Sequence, residues 1–326
     1  MKIKNGGIYL DVVTLGETMV MMTPKNEGKL KYINEFSKNL GGAESNFAIG
    51  LARLGIETGW ISRLGNDSFG DYIEFFIRGE GVDVSKVIRD DKNPTGLMVK
   101  ERRSIGETKV FYYRSNSAAS HMQPADLDES YLRQAKILHL SGITPALSKS
   151  CKETVYRAID IAKANDLKIS FDPNIRLKLW NNKNVMREEM TNICKKADII
   201  LPGFEEAKKI FEKENEKELI NQFLEYNPEI VVMKMGEKGA IFATEQGDFK
   251  HVDSYSPDKI IDTIGAGDGF AAGFIAGLLR GYSYHKSVKL GNAVGAFALT
   301  VKGDVEGLPT QEELDEFFGE KEEIIR

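Results

Sequence analysis

The sequence is poor in cysteine, histidine and long apolar runs. It has two cysteines and four histidines in 326 residues, with no CxxC pair and no metal-ligand spacing. We therefore expect no disulfide and no structural zinc, with Cys151 and Cys194 as thiols in a reducing compartment. No apolar stretch approaches the roughly 20 residues that span a bilayer, and the N-terminal residues lack the apolar core of a secretory signal. These absences predict a cytoplasmic protein without a membrane partner.

An excess of basic residues is also missing. Lysine and arginine number 44 against 49 aspartates and glutamates, which gives a net charge of -5. Since no basic block offers a nucleic-acid face, small molecules are the expected partners. Hydrophobic residues make up 41% and charged residues 29%, which is typical of a globular chain with a substantial core.

Short apolar runs alternate with amphipathic segments from Ile137 onward. This alternation predicts βαβ units in an α/β fold, with a doubly wound, mostly parallel sheet flanked by helices. The predicted strands are Ile137 to Leu140, Lys168 to Phe171, Ile199 to Leu201 and Ile230 to Met235, and a helix is predicted from Ser148 to Asn165.

The first part of the chain is less regular. Val12 to Leu15 is a predicted central strand, and the helical pattern of Glu44 to Leu54 suits packing on the main sheet. Short half-polar segments within 17–40 and 95–115 predict a small antiparallel sheet that serves as a lid. Without repeats or linkers, residues 1–326 are expected to form one domain with that lid.

The segment DTIGAGDGFAAGFIAGLLRG, from Asp262 to Gly281, carries the strongest chemical signal. Gly265, Ala266 and Gly267 allow close approach of an anion to backbone amides at the start of a helix, which is a natural phosphate cradle. Asp268 follows at once. Such an acid can simply favour the helix dipole; alternatively, it is placed to accept the proton of an attacking hydroxyl during phosphoryl transfer.

This segment resembles the signature of the ribokinase (PfkB-type) family of carbohydrate kinases. A second resemblance lies in LGGAESN, where Gly41, Gly42, Ala43 and Asn46 are similar to the family's sugar-binding loop. Features in family order cover nearly the whole chain. The resemblance implies a ribokinase-like fold, ATP and Mg²⁺ as cofactors, an anion hole at residues 265–267 and Asp268 as catalytic base.

Nucleotide contacts are implied by the same resemblance. The segment KMGEKGA matches a part of the family that borders the nucleotide, although two glycines between apolar runs also suit a plain strand-turn-strand connection. An asparagine in a helix can likewise bond to nearby backbone instead of facing adenine. The expected nucleotide-side residues are Asn174, Arg176, Lys234, Gly236, Gly239 and Asn292, together with residues 265–267.

Within the family, the residues around the sugar resemble those of 2-keto-3-deoxygluconate kinases. GGAE followed by Asn places Glu44 beside the sugar loop, and VFYYRSNSAAS matches a lid strand of those enzymes. Arg114 and Arg176 could converge on a carboxylate, because guanidinium groups pair with it in a bidentate way. Met98 stands where some relatives have tyrosine. The expected substrate contacts are Gly41, Gly42, Ala43, Glu44, Asn46, Tyr112, Tyr113, Arg114, Arg176, Asp268 and Asp304.

Neighbouring strand residues point to opposite faces, so we expect only one of Tyr112 and Tyr113 to face the sugar. The resulting prediction is ATP-dependent phosphorylation of 2-keto-3-deoxygluconate to its 6-phosphate. The alternatives are a kinase of a neutral sugar, like fructokinase or ribokinase, and a non-catalytic sugar sensor. No protein-bound metal site is predicted, and a homodimer that covers the lid is expected.

Overall fold

The computed structural model describes residues 3–4, 7–101 and 109–319. The strands are β1 Ile3–Lys4, β2 Gly7–Ile8, β3 Val12–Leu15, β4 Met19–Pro24, β5 Phe36–Gly41, β6 Thr58–Gly65, β7 Val87–Asp90, β8 Leu97–Glu101, β9 Lys109–Tyr113, β10 Ile137–Ser141, β11 Lys168–Asp172, β12 Ile199–Ile200, β13 Ile230–Lys234, β14 Ala240–Thr244 and β15 Phe249–Val252.

The α-helices lie between and after these strands. They are α1 Ala43–Arg53, α2 Ser68–Gly79, α3 Glu129–Leu132, α4 Thr144–Leu147, α5 Lys149–Ala164, α6 Lys183–Cys194, α7 Phe204–Phe211, α8 Glu216–Leu224, α9 Ala266–Leu279, α10 Tyr284–Ala298 and α11 Gln311–Phe317. None of them combines the length and apolar character needed to cross a bilayer, within the ranges that the structure describes.

The main sheet has nine strands in the described part of the chain, in the order β15-β14-β13-β12-β11-β10-β3-β6-β7. Strands β13 through β7 in that order are all parallel to their neighbours, and β14 and β15 add an antiparallel edge. The predicted doubly wound, mostly parallel sheet is confirmed, and the five sequence-predicted strands and two helices lie within a few residues of their expected ends.

Both faces of this sheet are buried, which explains the continuous apolar runs of its strands. Apolar side chains of α1, α2, α9 and α10 cover one face. Those of α5, α6, α7 and α8 cover the other. Phe47, Ile49, Leu51 and Leu54 from the predicted first helix are buried as expected.

Local signals set the helix starts. The Asp67 side chain accepts hydrogen bonds from the amides of Phe69 and Gly70 at the start of α2, and the Ser148 hydroxyl accepts one from Cys151 N at the start of α5. These side chains satisfy amides that have no partner inside the helix. Both helices therefore begin where a short polar residue precedes the amphipathic pattern.

A second sheet of four strands in the described residues, in the order β5-β4-β8-β9, lies in the segments predicted to form the lid and is called the lid below. Its two outer pairs are antiparallel as expected, but the central pair of β4 and β8 is parallel. The reason lies in the main sheet. Strands β4 and β8 follow β3 and β7, and the main sheet holds β3, β6 and β7 parallel to one another, so both chains enter the lid in the same direction.

Candidate active site

A cavity of about 2010 Å³ lies between the lid and the carboxyl ends of the parallel strands. Glu17 follows β3, Asp172 ends β11, Gly203 follows β12 and Lys234 ends β13, and all four line this cavity. In open α/β sheets this edge is where ligands bind. The lid contributes Met98, Lys100 and Tyr112 from the opposite side.

The start of α9 forms one wall of the cavity. Gly265 adopts a left-handed conformation with φ of 82° and has no side chain to cap the helix. A Cβ atom at Gly265 would overlap the carbonyl oxygen of Asp304, and one at Gly267 would lie 3.7 Å from Lys234 Nζ. The first amides of α9 and the Lys234 ammonium therefore lie close together at the positive end of the helix dipole.

Asp268 is in the first turn of α9, and two amide side chains hold its carboxylate. Asn46 Nδ2 donates to Oδ2 at 2.8 Å, and Asn174 Nδ2 donates to Oδ1 at 3.3 Å. Asn174 itself has a left-handed φ of 36°, a conformation that asparagine tolerates better than most residues. The two contacts fix the orientation of the carboxylate at the cavity wall.

The pKa of Asp268 is raised to about 7. Burial is the main cause, and the charge of Asp172 adds to it, while the Asn46 hydrogen bond, Arg176 and Lys234 act in the opposite direction. Although Asp268 keeps some exposed area where it lines the cavity, protein atoms enclose it densely. A carboxylate with a pKa near neutrality is well matched to accepting a proton in this pH range.

A charged cluster adjoins Asp268. Lys234 Nζ donates to Asp172 Oδ2 at 2.5 Å, and Glu206 accepts hydrogen bonds from the amides of Ile175 and Gly203, both at 2.8 Å. Burial acts against the charged form of Lys234, but the carboxylates of Asp172 and Glu206 raise its pKa, so it stays protonated. Burial and the charge of Asp172 raise the pKa of Glu206, while Lys234 acts in the opposite direction.

No group of three or more His, Cys, Asp or Glu side chains capable of holding a metal ion occurs among residues 3–4, 7–101 and 109–319. Asp172 and Glu206 alone are a pair of carboxylate donors of the type that Mg²⁺ prefers when it also keeps waters and binds phosphate. The pair therefore fits a metal ion that arrives with a nucleotide.

The predicted sugar loop faces the lid across the cavity. Gly41, Gly42, Ala43 and Asn46 all line it. A Cβ atom at Gly41 would overlap Met98 Cε and lie 3.2 Å from Asp304 Oδ2. Glycine at this position therefore allows the lid and the loop to approach each other.

Which tyrosine of the lid pair faces the sugar stays a prediction, but the two side chains differ in position. Tyr112 lines the cavity, whereas Tyr113 is 66% exposed and lies outside it. Phe111 lines the cavity as well, so the alternation of side chains along a strand does not by itself separate Tyr112 from Tyr113.

The expectation for Glu44 is wrong. Its side chain is buried and does not line the cavity. One carboxylate oxygen accepts hydrogen bonds from Ser141 Oγ at 2.5 Å and Thr144 Oγ1 at 2.8 Å. Burial raises the pKa of Glu44. Glu44 thus ties α1 to the end of β10, because the helix turns this position toward the sheet while Asn46 faces the cavity.

Arg114 lines the cavity but already has a carboxylate partner. It forms a short ion pair with the buried Glu17, whose other oxygen accepts a hydrogen bond from Ser117 Oγ. Arg114 Nε is buried without a hydrogen-bond partner among the described residues. Arg176 also lines the cavity and is exposed. The guanidinium of Arg114 thus offers its remaining donors, not the whole group, to a ligand.

The remaining predicted nucleotide residues also meet at the cavity. Gly236 and Gly239 have left-handed φ values of 61° and 88°, and a side chain at Gly239 would overlap the backbone of Val252. Asn292 Nδ2 donates to the carbonyl oxygens of Val252 and Asp253 at 3.1 and 2.9 Å. Asn292 therefore holds the end of β15, just before residues 254–257, which form the cavity rim, and neither of these bonds is to its own helix.

Four charged cavity residues that are buried or half-buried were not predicted from the sequence: Glu17, Lys100, Asp172 and Glu206. Asp172 could have been found, because it is an acid at the end of a predicted parallel strand. Glu206 resembles an ordinary acid in a first helical turn, and Lys100 resembles a solvated lysine on a half-polar strand. Their burial against other charges arises only in the folded chain.

The cavity brings together a carboxylate, the uncapped amides of a helix start and a lysine, an arrangement typical of a small-molecule kinase. The profile of the pfkB family carbohydrate kinases matches residues 10–311. The chain belongs to this family.

Named relatives and a solved structure agree with that assignment. The chain is 41% identical over 310 residues to the 2-dehydro-3-deoxygluconokinase of Bacillus subtilis, covering 95% of each chain. It is 33% identical over 288 residues to the 5-dehydro-2-deoxygluconokinase of Geobacillus kaustophilus, covering 87% of this chain and 85% of that one. A ribokinase-II-type protein from E. coli, solved with ATP and Mg²⁺, superposes with a TM-score of 0.88 at 29% identity, covering 96% and 100%.

Proposed function

We propose that this carbohydrate kinase transfers the γ-phosphoryl group of ATP to 2-dehydro-3-deoxygluconate, also called 2-keto-3-deoxygluconate, and forms the 6-phosphate. The observation that carries the proposal is the Asp268 carboxylate, oriented by Asn46 and Asn174 beside the first amides of α9. The B. subtilis 2-dehydro-3-deoxygluconokinase, identical at 41% of positions, supports the choice of sugar.

In this mechanism Asp268 accepts the proton of the attacking primary hydroxyl. Amides at Gly265, Ala266 and Gly267 and the Lys234 ammonium stabilise charge on the transferring group. Their donors are in place before the reaction, because the left-handed Gly265 turn and the ion pair of Lys234 with Asp172 hold them. Positioning and charge stabilisation then provide most of the rate enhancement.

ATP is proposed to lie along the cavity wall formed by Asn174, Arg176, Gly236 and Gly239. The adenine base would lie beside the cavity rim that Asn292 holds in place. Mg²⁺ neutralises phosphate charge when it is bound with the nucleotide. Asp172 and Glu206 would hold it through their carboxylates.

The sugar acid is proposed to contact Gly41, Gly42, Ala43, Asn46, Tyr112 and Asp304, with its carboxylate toward Arg114 and Arg176. The buried, unpaired Nε of Arg114 supports this orientation, since burying a donor without a partner is costly unless a ligand satisfies it. Tyr113 is not part of this contact set.

We also propose a homodimer that covers the lid. Strand β9 is an edge of the lid sheet in the described residues and exposes Phe111 and Tyr113, a surface that proteins commonly protect. The two buried free cysteines are consistent with work in a reducing cytoplasm.

A substrate panel tests the function. ADP release would be measured with 2-dehydro-3-deoxygluconate, 5-dehydro-2-deoxygluconate, fructose and ribose, with ATP and Mg²⁺ present. We expect the highest kcat/KM for the first sugar. A higher value for fructose or ribose would contradict the carboxylate assignment, and a higher value for the second acid would move the proposal to the activity named for the Geobacillus relative. Binding of a sugar without phosphorylated product would favour a non-catalytic sensor.

A further inference from the structure

Lys100 is a buried cation on the lid strand β8 that none of the steps above uses. Its side chain is 4% exposed, and it lines the cavity. Its Nζ lies 3.6 Å from Asp304 Oδ1 and 3.7 Å from Asp262 Oδ2, distances that bring it near both carboxylates without a hydrogen bond to either. Burying an ammonium group is costly unless it compensates nearby charge, so its place needs a reason.

Asp304 supplies that reason. Its backbone carbonyl touches Gly265, where the phosphate cradle begins, and its Oδ2 lies near Gly41 in the sugar loop. Its Oδ1 is buried and has no hydrogen-bond partner among the described residues. Asp304 thus has an oxygen that can accept a hydrogen bond, and it lies between the sugar loop and the start of α9.

The charged surroundings of Asp304 come from several elements. Its pKa is raised to about 6, mainly by burial; Glu306 and Asp262 also raise it, whereas Lys100 from β8 and Asn46 from α1 lower it. Lys100 is the cation in this set. Without it, a buried carboxylate facing two other acids would bind a proton near neutral pH.

We infer that Lys100 is a positioning residue that keeps the Asp304 carboxylate ionised, so that Asp304 can accept a hydrogen bond from a hydroxyl of the bound sugar. The inference rests on the proposed sugar site. An ionised carboxylate only accepts hydrogen bonds, whereas a protonated one also donates. The lid strand thereby sets the hydrogen-bonding character of a residue on the opposite wall of the cavity.

The test measures sugar affinity between pH 5 and pH 9 by calorimetry in an Asp268→Asn background, where the titration of Asp268 is removed. We expect the sugar Kd of this parent to rise only as pH falls through about 6. Adding Lys100→Met should move that midpoint up by roughly one to two pH units, so Kd at pH 7 should rise about twofold to tenfold and recover by pH 9. Lys100→Arg should restore the parent profile.

Controls separate this effect from a general loss of packing. Lys38→Met removes an exposed lid lysine that lies over Tyr72 and should leave the sugar Kd unchanged. Asp304→Asn should abolish the pH-dependent step in Kd that Lys100→Met moves. The inference would be overturned if Lys100→Met left the pH midpoint of the sugar Kd unchanged. It would also be overturned if Lys100→Met weakened sugar binding equally at every pH and Lys100→Arg did not restore it. If the native enzyme did not phosphorylate 2-dehydro-3-deoxygluconate, the proposed function would be contradicted instead. The role of Lys100 would then be tested by measuring Kd against pH with the sugar that binds best.

Discussion

Two asparagine amides orient Asp268 from distant parts of the chain. Asn46 lies in α1 and Asn174 in the loop after β11, and each donates to a different carboxylate oxygen. Such contacts stabilise the charged form, yet burial still raises the pKa to about 7. Asp268 is therefore held in one orientation with a pKa near neutrality, as the proposed role of a general base requires.

Asp268→Asn removes the proposed base while keeping a side chain of nearly the same shape. We expect kcat to fall by about 10² to 10⁴, the usual contribution of general-base assistance. The fold should be intact, as checked by circular dichroism. Steady-state ADP release measures the loss, and a variant with normal turnover would exclude the base role.

The raised pKa of Asp268 also predicts a pH-dependent effect on stability. Between about pH 4 and pH 7 the folded protein binds a proton here more readily than the unfolded chain, so this group's contribution to the free energy of unfolding falls as pH rises through that window. Asp268→Asn removes the penalty. We expect the nucleotide-free variant to melt a few degrees above the native protein at pH 8, with the difference shrinking toward pH 5.

Thermal melts at several pH values, recorded in the same salt, measure this difference. A variant that melts below the native protein at pH 8 would show that the hydrogen bonds of Asn46 and Asn174 outweigh the cost of burying the charge.

Arg114→Ala tests how the enzyme distinguishes an acidic sugar. Loss of a charged donor to the substrate carboxylate should raise KM for the acid much more than for fructose, by roughly tenfold or more. Arg114→Lys is the matched variant, because it keeps the positive charge near Glu17 but cannot pair with a carboxylate in a bidentate way. Equal rises in KM for both sugars would contradict the carboxylate contact.

At the scale of elements, the turn into α9 determines how closely an anion can approach its amides. Gly265 combines a φ of 82° with direct contact to the Asp304 carbonyl, so a side chain is excluded both by backbone conformation and by space. Gly281, just beyond the same helix, has a similar φ of 74°, but a Cβ atom there would have no neighbour within 4 Å. The two glycines provide a matched pair.

We expect Gly265→Ala to lower kcat by at least about tenfold, because the displaced turn moves the cradle amides relative to Asp268. Gly281→Ala should cost only about 1 kcal/mol of backbone strain and leave kcat unchanged. Turnover and thermal melts of both variants provide the measurement. Equal losses of activity would mean that backbone strain, and not the contact with Asp304, explains the effect.

At the scale of the whole molecule, the lid edge bears the exposed aromatic surface that a partner would cover. Phe111 and Tyr113 are 42% and 66% exposed on β9. We expect sedimentation to give a dimer, and Phe111→Ser with Tyr113→Ser to shift it toward monomer. Phe249→Ser is the control, since Phe249 is also 42% exposed and lies on β15 at the far edge of the main sheet. A monomeric native protein, or equal dissociation by the control, would contradict a lid-covered dimer.

The sequence by itself determined the alternation of strands and helices after Ile137, the approximate bounds of five strands and two helices, and the glycine-rich start of α9. These are local properties: strand and helix periods repeat within a few residues, and Gly265 and Asp268 lie within one turn of the same helix start. The lid strands were likewise visible as short half-polar segments, but the parallel pairing of β4 and β8 was not, because it depends on where the main sheet places β3 and β7.

Only the tertiary structure decided which side chains meet. The Asn46 contact to Asp268 spans 222 positions and the Asn174 contact spans 94. Glu44 faces the core and not the cavity, Arg114 pairs with Glu17, and Lys100 lies between two acids. Sequence patterns carry no information on such partners, because burial and the distances between charges are set by how separate elements pack, and these quantities determine whether a given acid or base is ionised and available.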